Sequence, residues 1–320
     1  MKLFPVVAGI ALAVAGITRA ADSGETRILK WKDGKEAVFL LAFDDSCPTH
    51  LDKAIPELAK RGLVGNFYVN PGKGAFPPRS AEWKKAARSP VVALQNHTFT
   101  HKGATTAPEL DEELARCNDA LKDFFPDPKW PRLIAFGKPG GVPWEVPADQ
   151  VDQLLAKHHL FHRPMFHGPP FHQKSVAECL ATIDQALADG TMGHIDFHGV
   201  GGDWHVTPMD WYLAILDRLV EKKDRLWIAD NVHYHQYLTE RESAAAKVIK
   251  ASGDGIQLSL TCQADPALYD FPLTLETSVP GGWEQCQIEQ GGKVTTAPVT
   301  NGVVRYEARP GPETIHLKRK

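Results

Sequence analysis

The sequence contains few cysteines, and their spacing argues against a thiolate metal site. Five cysteines occur among 320 residues, and no two of them form a CxxC pair. In an oxidising compartment some of them could pair, and Cys262 with Cys286 is the pairing that sequence proximity favours. The odd number leaves at least one thiol without a partner within the chain.

Excess positive charge and long apolar segments are also lacking. The formal net charge is −3, which gives no support for nucleic-acid binding. After the N-terminus, no segment is apolar and long enough to cross a bilayer. No GxSxG motif is present, which argues against a serine hydrolase built on a nucleophile elbow. We therefore expect neither nucleic acid nor a stable membrane span.

The first twenty residues have the features of a secretory signal peptide. Lys2 precedes an apolar run over residues 4–17, and small residues occupy the last and third-last positions before Ala21. The run is shorter than the roughly twenty residues of a membrane span. The sequence thus predicts a signal peptide over 1–20, cleavage near Ala20/Ala21, and a secreted or periplasmic protein.

Residues 30 to 240 alternate short β-rich runs with helical stretches. The predicted strands are Ala37–Asp44, Val64–Val69, Val91–Gln95, Leu133–Phe136, Leu160–His162, His194–Phe197 and Leu226–Ala229. Helical patterns separate several of them, which is typical of a parallel sheet built from βα units. Seven such runs favour an α/β fold with a closed or nearly closed barrel over residues 21–245. An open doubly wound sheet is the alternative.

The pattern changes after Arg241. Glu242–Lys250 fits a last helix or a linker, and residues 250–320 then show short alternating runs separated by Gly-Gly and Asn-Gly turns. This region predicts a small antiparallel, β-sandwich-like module. It could bind glycan through Trp283 or Tyr269, but we interpret it as packing against the barrel.

Two predicted strands end in side chains that suit a metal ion. Phe39–Phe43 runs directly into Asp44 and Asp45, and two adjacent carboxylates after an apolar strand need a positive partner. Another strand runs into His97 and His101, whose spacing of four would place both imidazoles on one face of a helical turn. Because reactive groups in parallel barrels gather at the C-terminal strand ends, we expect one shared metal site with open positions.

These residues resemble the first two motifs of the polysaccharide deacetylase (NodB-homology, carbohydrate esterase family four) superfamily. Ala42-Phe43-Asp44-Asp45 is similar to its [T/S]FDD strand end, and the segment from His97 to His101 is similar to its H[S/T]xxH turn. The resemblance covers residues 36 to 240 and implies a distorted (β/α) barrel with fewer than eight strands. It also implies Asp45, His97 and His101 as ligands of one divalent ion, zinc first and cobalt or nickel as alternatives, with Asp44 as general base.

A third match, Ile195-Asp196-Phe197-His198-Gly199, resembles the late strand that delivers the family's general acid. The resemblance therefore implies His198 as proton donor, with Trp204 a candidate wall of the acetyl pocket. The third motif departs from the family pattern, because Gly137 stands where an arginine is expected. Either Lys138 supplies that charge, or the metal alone depresses the pKa of the base. We place Lys138 and Pro139 with Trp204 in the substrate-binding region. The acidic fourth motif cannot be located.

The sequence therefore predicts a secreted, metal-dependent hydrolase that removes acetyl groups from a polysaccharide or oligosaccharide. An O-acetyl ester is slightly favoured over an N-acetyl amide, since an ester needs less acid assistance and tolerates the missing arginine more easily. The alternative is a catalytically impaired, deacetylase-like carbohydrate-binding protein, which loss of the arginine would favour. Five histidines have no counterpart in the resemblance: His158, His159, His162, His167 and His172. Their irregular spacing favours solvent-facing or substrate-edge groups, and a second metal site is the alternative.

Overall fold

The structure is a computed structural model, and it describes residues 23–125 and 129–320. The signal peptide predicted over residues 1–20 lies outside the described residues. Within the described ranges, no helix combines the length and apolarity that a membrane span requires.

Fifteen strands and seven α-helices make up the described fold. The strands are β1 Thr26–Ile28, β2 Ala37–Asp44, β3 Gly65–Val69, β4 Val92–Asn96, β5 Ile134–Phe136, β6 Leu160–His162, β7 Met192–Phe197, β8 Leu226–Ala229, β9 Ala245–Ala251, β10 Gly255–Thr261, β11 Leu273–Ser278, β12 Gln285–Gln290, β13 Lys293–Thr300, β14 Val303–Ala308 and β15 Ile315–Arg319. The helices are α1 Ile55–Arg61, α2 Ser80–Ala86, α3 Ala107–Lys122, α4 Ala148–Lys157, α5 Val176–Asp189, α6 Met209–Lys222 and α7 Asn231–Ser243.

Strands β2 to β8 form one parallel sheet. Its order is β6-β5-β4-β3-β2-β7, and β8 also pairs with β2. Residues 37–40 of β2 pair with β8, whereas residues 42–44 pair with β3. The sheet is therefore an incomplete barrel whose central strand changes partner along its length. This confirms the predicted α/β fold class with a distorted barrel of seven strands.

Strand β2 is the centre of the barrel, and all eight of its residues are buried. Phe39, Leu41 and Phe43 pack with the helices in the largest apolar cluster. Val38 and Leu40 face the opposite side and pack in a second cluster. Burial on both faces explains why the strand is a continuous apolar run rather than an alternating one. The carboxylate of Asp44, the last residue of the strand, is therefore buried as well.

The remaining strands form an antiparallel sheet of order β1-β11-β14-β13-β12-β15-β10-β9. Strand β1, from the N-terminal side of the barrel, is one edge of this sheet, where it pairs with β11. The prediction that Glu242–Lys250 forms a helix or linker is wrong, because β9 pairs there with β10. Alanines 244–246 favour a helix by propensity, but cross-strand pairing overrides that local preference.

The antiparallel module packs against the barrel through a shared apolar core. Tyr237 of α7 is fully buried within the module's own cluster, and its hydroxyl donates to the carbonyl of Leu29 at 2.9 Å. Trp227 stacks on Phe271 with ring centroids 6.0 Å apart. Trp283 is buried and donates from Nε1 to the carbonyl of Gly253, so its ring is not available to stack on a sugar.

The expected Cys262–Cys286 disulfide is absent, and all five cysteines are free. Strand β15 lies between β10 and β12 and pairs with both. Cys286 lies on β12, whereas Cys262 directly follows β10. Two strands separated by a third lie about 9–10 Å apart, which is too far for a disulfide between their Cα atoms.

The buried carboxyl of Glu240 makes the stability of this interface depend on pH. Burial, together with the charge of Asp270, raises the pKa of Glu240 from 4.5 to about 8. Its Oε2 has no hydrogen-bond partner in the described residues. Because the folded pKa exceeds the unfolded one, its stabilising contribution is complete below about pH 4.5. It is lost at about 1.4 kcal/mol per pH unit as the pH rises towards 8.

We therefore expect Glu240→Gln to increase the free energy of unfolding at pH 8.5 and to change it little at pH 4.5. Urea denaturation at both pH values measures the effect. Glu242→Gln, at an exposed position on the same helix, is the matched control and should change neither value. An equal gain at both pH values would contradict the assignment.

Candidate metal centre

Three strand ends bring the predicted site residues together. Asp44 is the last residue of β2, and Asp45 follows it with φ 71°. His97 directly follows β4, and His198 directly follows β7. Because these strands are parallel neighbours or near neighbours in one sheet, their C-terminal ends meet at the same edge. The structure thus places all four predicted side chains around one point.

Asp45, His97 and His101 form a group that could hold one metal ion, the only such group of histidine, cysteine or acidic side chains found in residues 23–125 and 129–320. Asp45 Oδ1 lies 3.3 Å from Nε2 of His97 and 3.0 Å from Nε2 of His101. All three candidate ligand atoms lie within 4.8 Å of one another. One carboxylate oxygen and two imidazole nitrogens form a donor set that suits zinc and leaves positions open for water or substrate.

The polar atoms of this group also fit a metal ion. Asp45 Oδ1 is buried and accepts no hydrogen bond in the described chain, although a buried carboxylate oxygen normally has a partner. The imidazoles of His101 and His97 lower the pKa of Asp45 below its usual range, even though burial opposes them. Asp45 is therefore ionised, and its unpartnered oxygen faces the two imidazoles.

The ring of His97 is oriented by its second nitrogen. Nδ1 lies 2.7 Å from the carbonyl oxygen of Gly137, to which it donates, so in the neutral imidazole Nε2 carries no proton and can act as a ligand. The side-chain amide of Asn70 donates to the carbonyls of His97 and Thr98, and the backbone N–H of Asn70 donates to Ser46 Oγ. These contacts fix the ends of β2, β3 and β4 relative to one another.

His101 reaches the site through an irregular loop, not through the predicted helical turn. Thr98 and His101 have φ values of 64° and 57°, which no helix accommodates. Glu113 on α3, which is 1% exposed, accepts hydrogen bonds from the backbone N–H and the hydroxyl of Thr100. The buried carboxylate therefore holds the loop in the shape that turns His101 towards Asp45.

Asp44 is paired with an arginine that the sequence interpretation missed. Nη1 and Nη2 of Arg163 donate to Oδ1 and Oδ2 of Asp44 at 2.8 Å and 2.6 Å. Nη1 also lies 3.2 Å from Asp196 Oδ1. The guanidinium carbon lies 4.2 Å from the ring centroid of Tyr68. The two hydrogen bonds from Arg163, whose guanidinium lies over the ring of Tyr68, leave the carboxylate of Asp44 little freedom to rotate.

The idea that Lys138 supplies the charge beside Asp44 is therefore wrong. The Lys138 ammonium is exposed and lies 4.9 Å from the ring centroid of Trp144. At Gly137, where the family pattern expects arginine, an added Cβ would lie 2.8 Å from the ring of Tyr68 and 3.0 Å from Nε of Arg163. Glycine at this position makes room for an arginine delivered from the next strand.

Asp196 is a second acidic partner of Arg163, and the sequence interpretation assigned it no role. Its Oδ2 accepts a hydrogen bond of 2.6 Å from the backbone N–H of His167. Burial and the nearby charge of Asp44 raise the pKa of Asp196 to about 7, although Arg163 opposes the rise. For Asp44, burial also raises the pKa, but Arg163, with His97 and His198, lowers it below its usual value. The shared guanidinium thus keeps Asp44 ionised, as a base requires.

His198 lies near the oxygen of Asp45 that His97 and His101 do not face. Its Nε2 is 3.7 Å from Asp45 Oδ2, and its carbonyl accepts a hydrogen bond from Nε2 of buried His50 at 2.8 Å. Burial lowers the pKa of His198, while Asp44 and Asp45 oppose that effect. Burial also lowers the pKa of His50 to about 4. His50 is therefore a neutral donor that holds the backbone of His198 in place.

A cavity of about 270 Å³ opens beside these residues and is lined by Asp45, Asn70, Lys73, Gly74, His101 and Trp204. Of the three residues predicted to bind substrate, only Trp204 lines this cavity. Pro139 is buried, and its carbonyl accepts a hydrogen bond from Trp144 Nε1 at 2.9 Å. Lys138 and Pro139 remain predictions as substrate contacts.

The five unassigned histidines do not form a second cluster of metal ligands in the described part of the chain. His158 pairs with Asp111 and His162 pairs with Asp152. The ring centroids of His167 and His172 lie 4.9 Å apart.

Removal of the Arg163 charge should destabilise the fold as well as the site. Arg163→Gln leaves two buried carboxylates without their cation, and breaking a buried pair costs about 3–5 kcal/mol. We expect Arg163→Gln to lower the free energy of unfolding by that amount, measured by urea denaturation. Adding Asp196→Asn should recover part of the loss. The exposed control Lys138→Gln should change stability by less than about 0.5 kcal/mol; equal losses for the two single variants would contradict the pairing.

Comparisons with known proteins found one family model and several solved structures that this chain resembles. A family model described as polysaccharide deacetylase matches residues 32–143. A search of curated proteins found no significant match. Among solved structures, a family 4 carbohydrate esterase from Streptomyces lividans, in complex with acetate, is 18% identical, with a TM-score of 0.41 over 61% of this chain and 93% of that chain.

Two other solved structures are similar over comparable lengths. The catalytic domain of a peptidoglycan N-acetylglucosamine deacetylase from Eubacterium rectale is 13% identical, with a TM-score of 0.46 over 64% of this chain and 93% of that chain. A pseudoenzyme of carbohydrate esterase family 4 from Bacillus anthracis is 12% identical, with a TM-score of 0.44 over 60% of this chain and 63% of that chain. The matched residues 32–143 contain both aspartates after β2 and both histidines after β4. Residues 32–143 of this chain, which are less than half of it, are therefore similar to the polysaccharide deacetylase family model.

Proposed function

We propose that the protein is a metal-dependent hydrolase that removes acetyl groups from a carbohydrate. The observation that carries the proposal is the juxtaposition of two sets of residues. Asp45, His97 and His101 offer three ligand atoms to one ion, and the adjacent Asp44 is held as a carboxylate by Arg163. A base of fixed orientation beside an open metal position is the arrangement that hydrolysis of an acyl group needs.

A divalent ion bound at this site would supply Lewis acidity towards the acetyl carbonyl and a water of lowered pKa. Asp44 acts as general base and takes the proton of the attacking water. His198 acts as general acid and protonates the leaving sugar oxygen or nitrogen. This role needs the protonated imidazole. Burial lowers the pKa of His198, and the carboxylates of Asp44 and Asp45 oppose that effect.

Backbone N–H groups after β2 are candidates to stabilise the negative charge of the transition state. Asp45 and Ser46 have φ values of 71° and 52°, and successive N–H groups in such turns form concavities that bind anions. We assign this role to the N–H of Ser46 or Cys47. Preorganised donors of this kind usually make a large contribution to acyl-transfer catalysis.

The substrate is proposed to be an acetylated polysaccharide or oligosaccharide. The cavity of about 270 Å³ beside Asp45 and His101 is near the lower end of the range for small-ligand pockets. This size suits a single acetylated sugar unit. We favour an O-acetyl ester over an N-acetyl amide, zinc over cobalt or nickel as the native ion, and a secreted or periplasmic location.

A non-catalytic carbohydrate-binding role was the alternative, and it depended on loss of the arginine that orients the base. Arg163 restores that charge from a different strand and donates two hydrogen bonds to Asp44. The observation that favoured the alternative is therefore removed.

Two substitutions test the proposed roles. Asp44→Asn keeps the shape of the side chain but removes the base, and His198→Ala removes the acid. We expect each to reduce kcat for acetate release by about 10²–10⁴-fold, the usual contribution of a general acid or base. His162→Ala is the matched control, because His162 is exposed and pairs with Asp152. Near-normal turnover in either test variant would refute the corresponding role.

The ester preference is tested with matched substrates. We expect acetate release from O-acetylated xylan to exceed release from N-acetylated chitooligosaccharides, because an alcohol leaves with less acid assistance than an amine. Enzymatic acetate determination at equal concentrations of acetyl groups measures both rates. Activity on the chitooligosaccharides alone would overturn the preference while leaving the reaction class in place.

A further inference from the structure

The indole of Trp204 is hydrogen-bonded to the carboxylate that belongs to the metal centre. Its Nε1–H donates to Oδ2 of Asp45 at 2.9 Å. The other oxygen, Oδ1, faces the Nε2 atoms of His97 and His101. Trp204 therefore holds one oxygen of Asp45, and the oxygen without a hydrogen bond is the one that lies between the imidazoles.

The segment that carries Trp204, residues 199–207, is closed on itself by backbone hydrogen bonds, and we call it the tryptophan loop. The N–H of Gly199 donates to the carbonyl of Trp204 at 3.0 Å, and the N–H of Thr207 donates to the carbonyl of Gly199 at 2.8 Å. A Cβ at Gly199 would lie 2.9 Å from the oxygen of Trp204. The backbone of Trp204 is thus fixed by a contact that only glycine permits.

The tryptophan loop is anchored to the connection that follows Asp45. The backbone N–H of Thr49 donates to Oδ2 of Asp203 at 2.8 Å, and Oγ1 of Thr49 accepts from the N–H of Val200 at 3.0 Å. Lys53 donates to the carbonyl of Gly201. The Trp204–Asp45 hydrogen bond therefore joins the tryptophan loop to the connection after Asp45, and further hydrogen bonds hold these two segments together near it.

The conformation of the loop is strained at the residues on either side of Trp204. Asp203 and His205 have φ values of 66° and 48°, and neither is a glycine. Such left-handed residues cost free energy and persist where the surroundings enforce them, which is often at functional sites. The Trp204 residue itself is 41% exposed, so burial of its ring does not account for the enforced conformation.

We infer that Trp204 is a positioning residue that orients Asp45 for metal binding, an inference that rests on the proposed metal centre. Its N–H fixes the rotation of the carboxylate so that Oδ1 points between the two imidazoles. Hydrogen bonds to metal-ligating side chains typically improve metal affinity 10- to 100-fold. This role differs from that of a wall of the acetyl pocket, because it requires the indole N–H and not only the ring.

The substitution Trp204→Phe separates the two roles, since it keeps an aromatic ring and removes the donor. We expect the Kd for Zn²⁺, measured by competition with a chromophoric chelator on metal-stripped protein, to rise 10- to 100-fold. The thermal midpoint of the metal-free variant should match that of the metal-free wild type. A pocket-wall role alone, which the phenyl ring retains, would leave the Kd for Zn²⁺ unaltered.

Val206→Ala is the matched control, because Val206 is an exposed residue of the same loop. Unchanged Zn²⁺ affinity in this control, together with weakened affinity in Trp204→Phe, supports the inference. Equal affinity of Trp204→Phe and wild type overturns it, and so does an equal loss in both variants, which would indicate a general disturbance of the loop. Absence of Zn²⁺ binding by the wild type would instead refute the proposed metal centre itself.

Discussion

The fold of the site depends on accommodating two adjacent carboxylates at the end of a fully buried strand. Asp44 is 2% exposed, and an isolated charge there would be strongly unfavourable. The chain uses a different partner for each carboxylate. Arg163 compensates the charge of Asp44 through two hydrogen bonds, whereas Asp45 turns towards two imidazoles. The division leaves the carboxylate of Asp44 fixed in orientation and one carboxylate oxygen of Asp45 without a hydrogen bond in the described residues.

Arg163 is also the point through which neighbouring strands are coupled. It follows β6, yet it contacts the ends of β2 and β7 through Asp44 and Asp196, and it lies over Tyr68 of β3. One guanidinium thus connects four strands at the edge of the sheet where the site lies. Gly137, after β5, provides the space that this geometry needs. The same contacts that fix the orientation of Asp44 therefore also connect these strand ends.

Patterns local to the sequence predicted most of the barrel. The bounds of β2, β6 and β8 agree with the predicted runs, because buried parallel strands are continuous apolar segments flanked by polar residues. The convergence of Asp45, His97 and His101 was also predicted, since the strand ends that carry them must meet at one edge. The sequence did not predict that a loop, and not a helical turn, brings His101 to His97, because the left-handed conformation of Thr98 has no signature in the sequence.

What the sequence did not predict depends on contacts between distant segments. Arg163 was not predicted because the family pattern places the arginine at the strand end now occupied by Gly137. The available signal was an arginine directly after the predicted strand Leu160–His162. Asp196 was missed because it lies within β7, two residues before His198, and only the sheet geometry brings it to Arg163. Strand β1 was missed because its partner β11 is far along the chain.

The central claim, that a metal ion at Asp45, His97 and His101 is required for hydrolysis, is tested most directly by adding metal back to stripped protein. Acetate release from an acetylated polysaccharide would be measured before and after one equivalent of Zn²⁺ or Co²⁺ is supplied. The account predicts activity near zero without metal and full recovery at one equivalent per chain. Equal acetate release with and without metal, from protein shown to be metal-free, would contradict it.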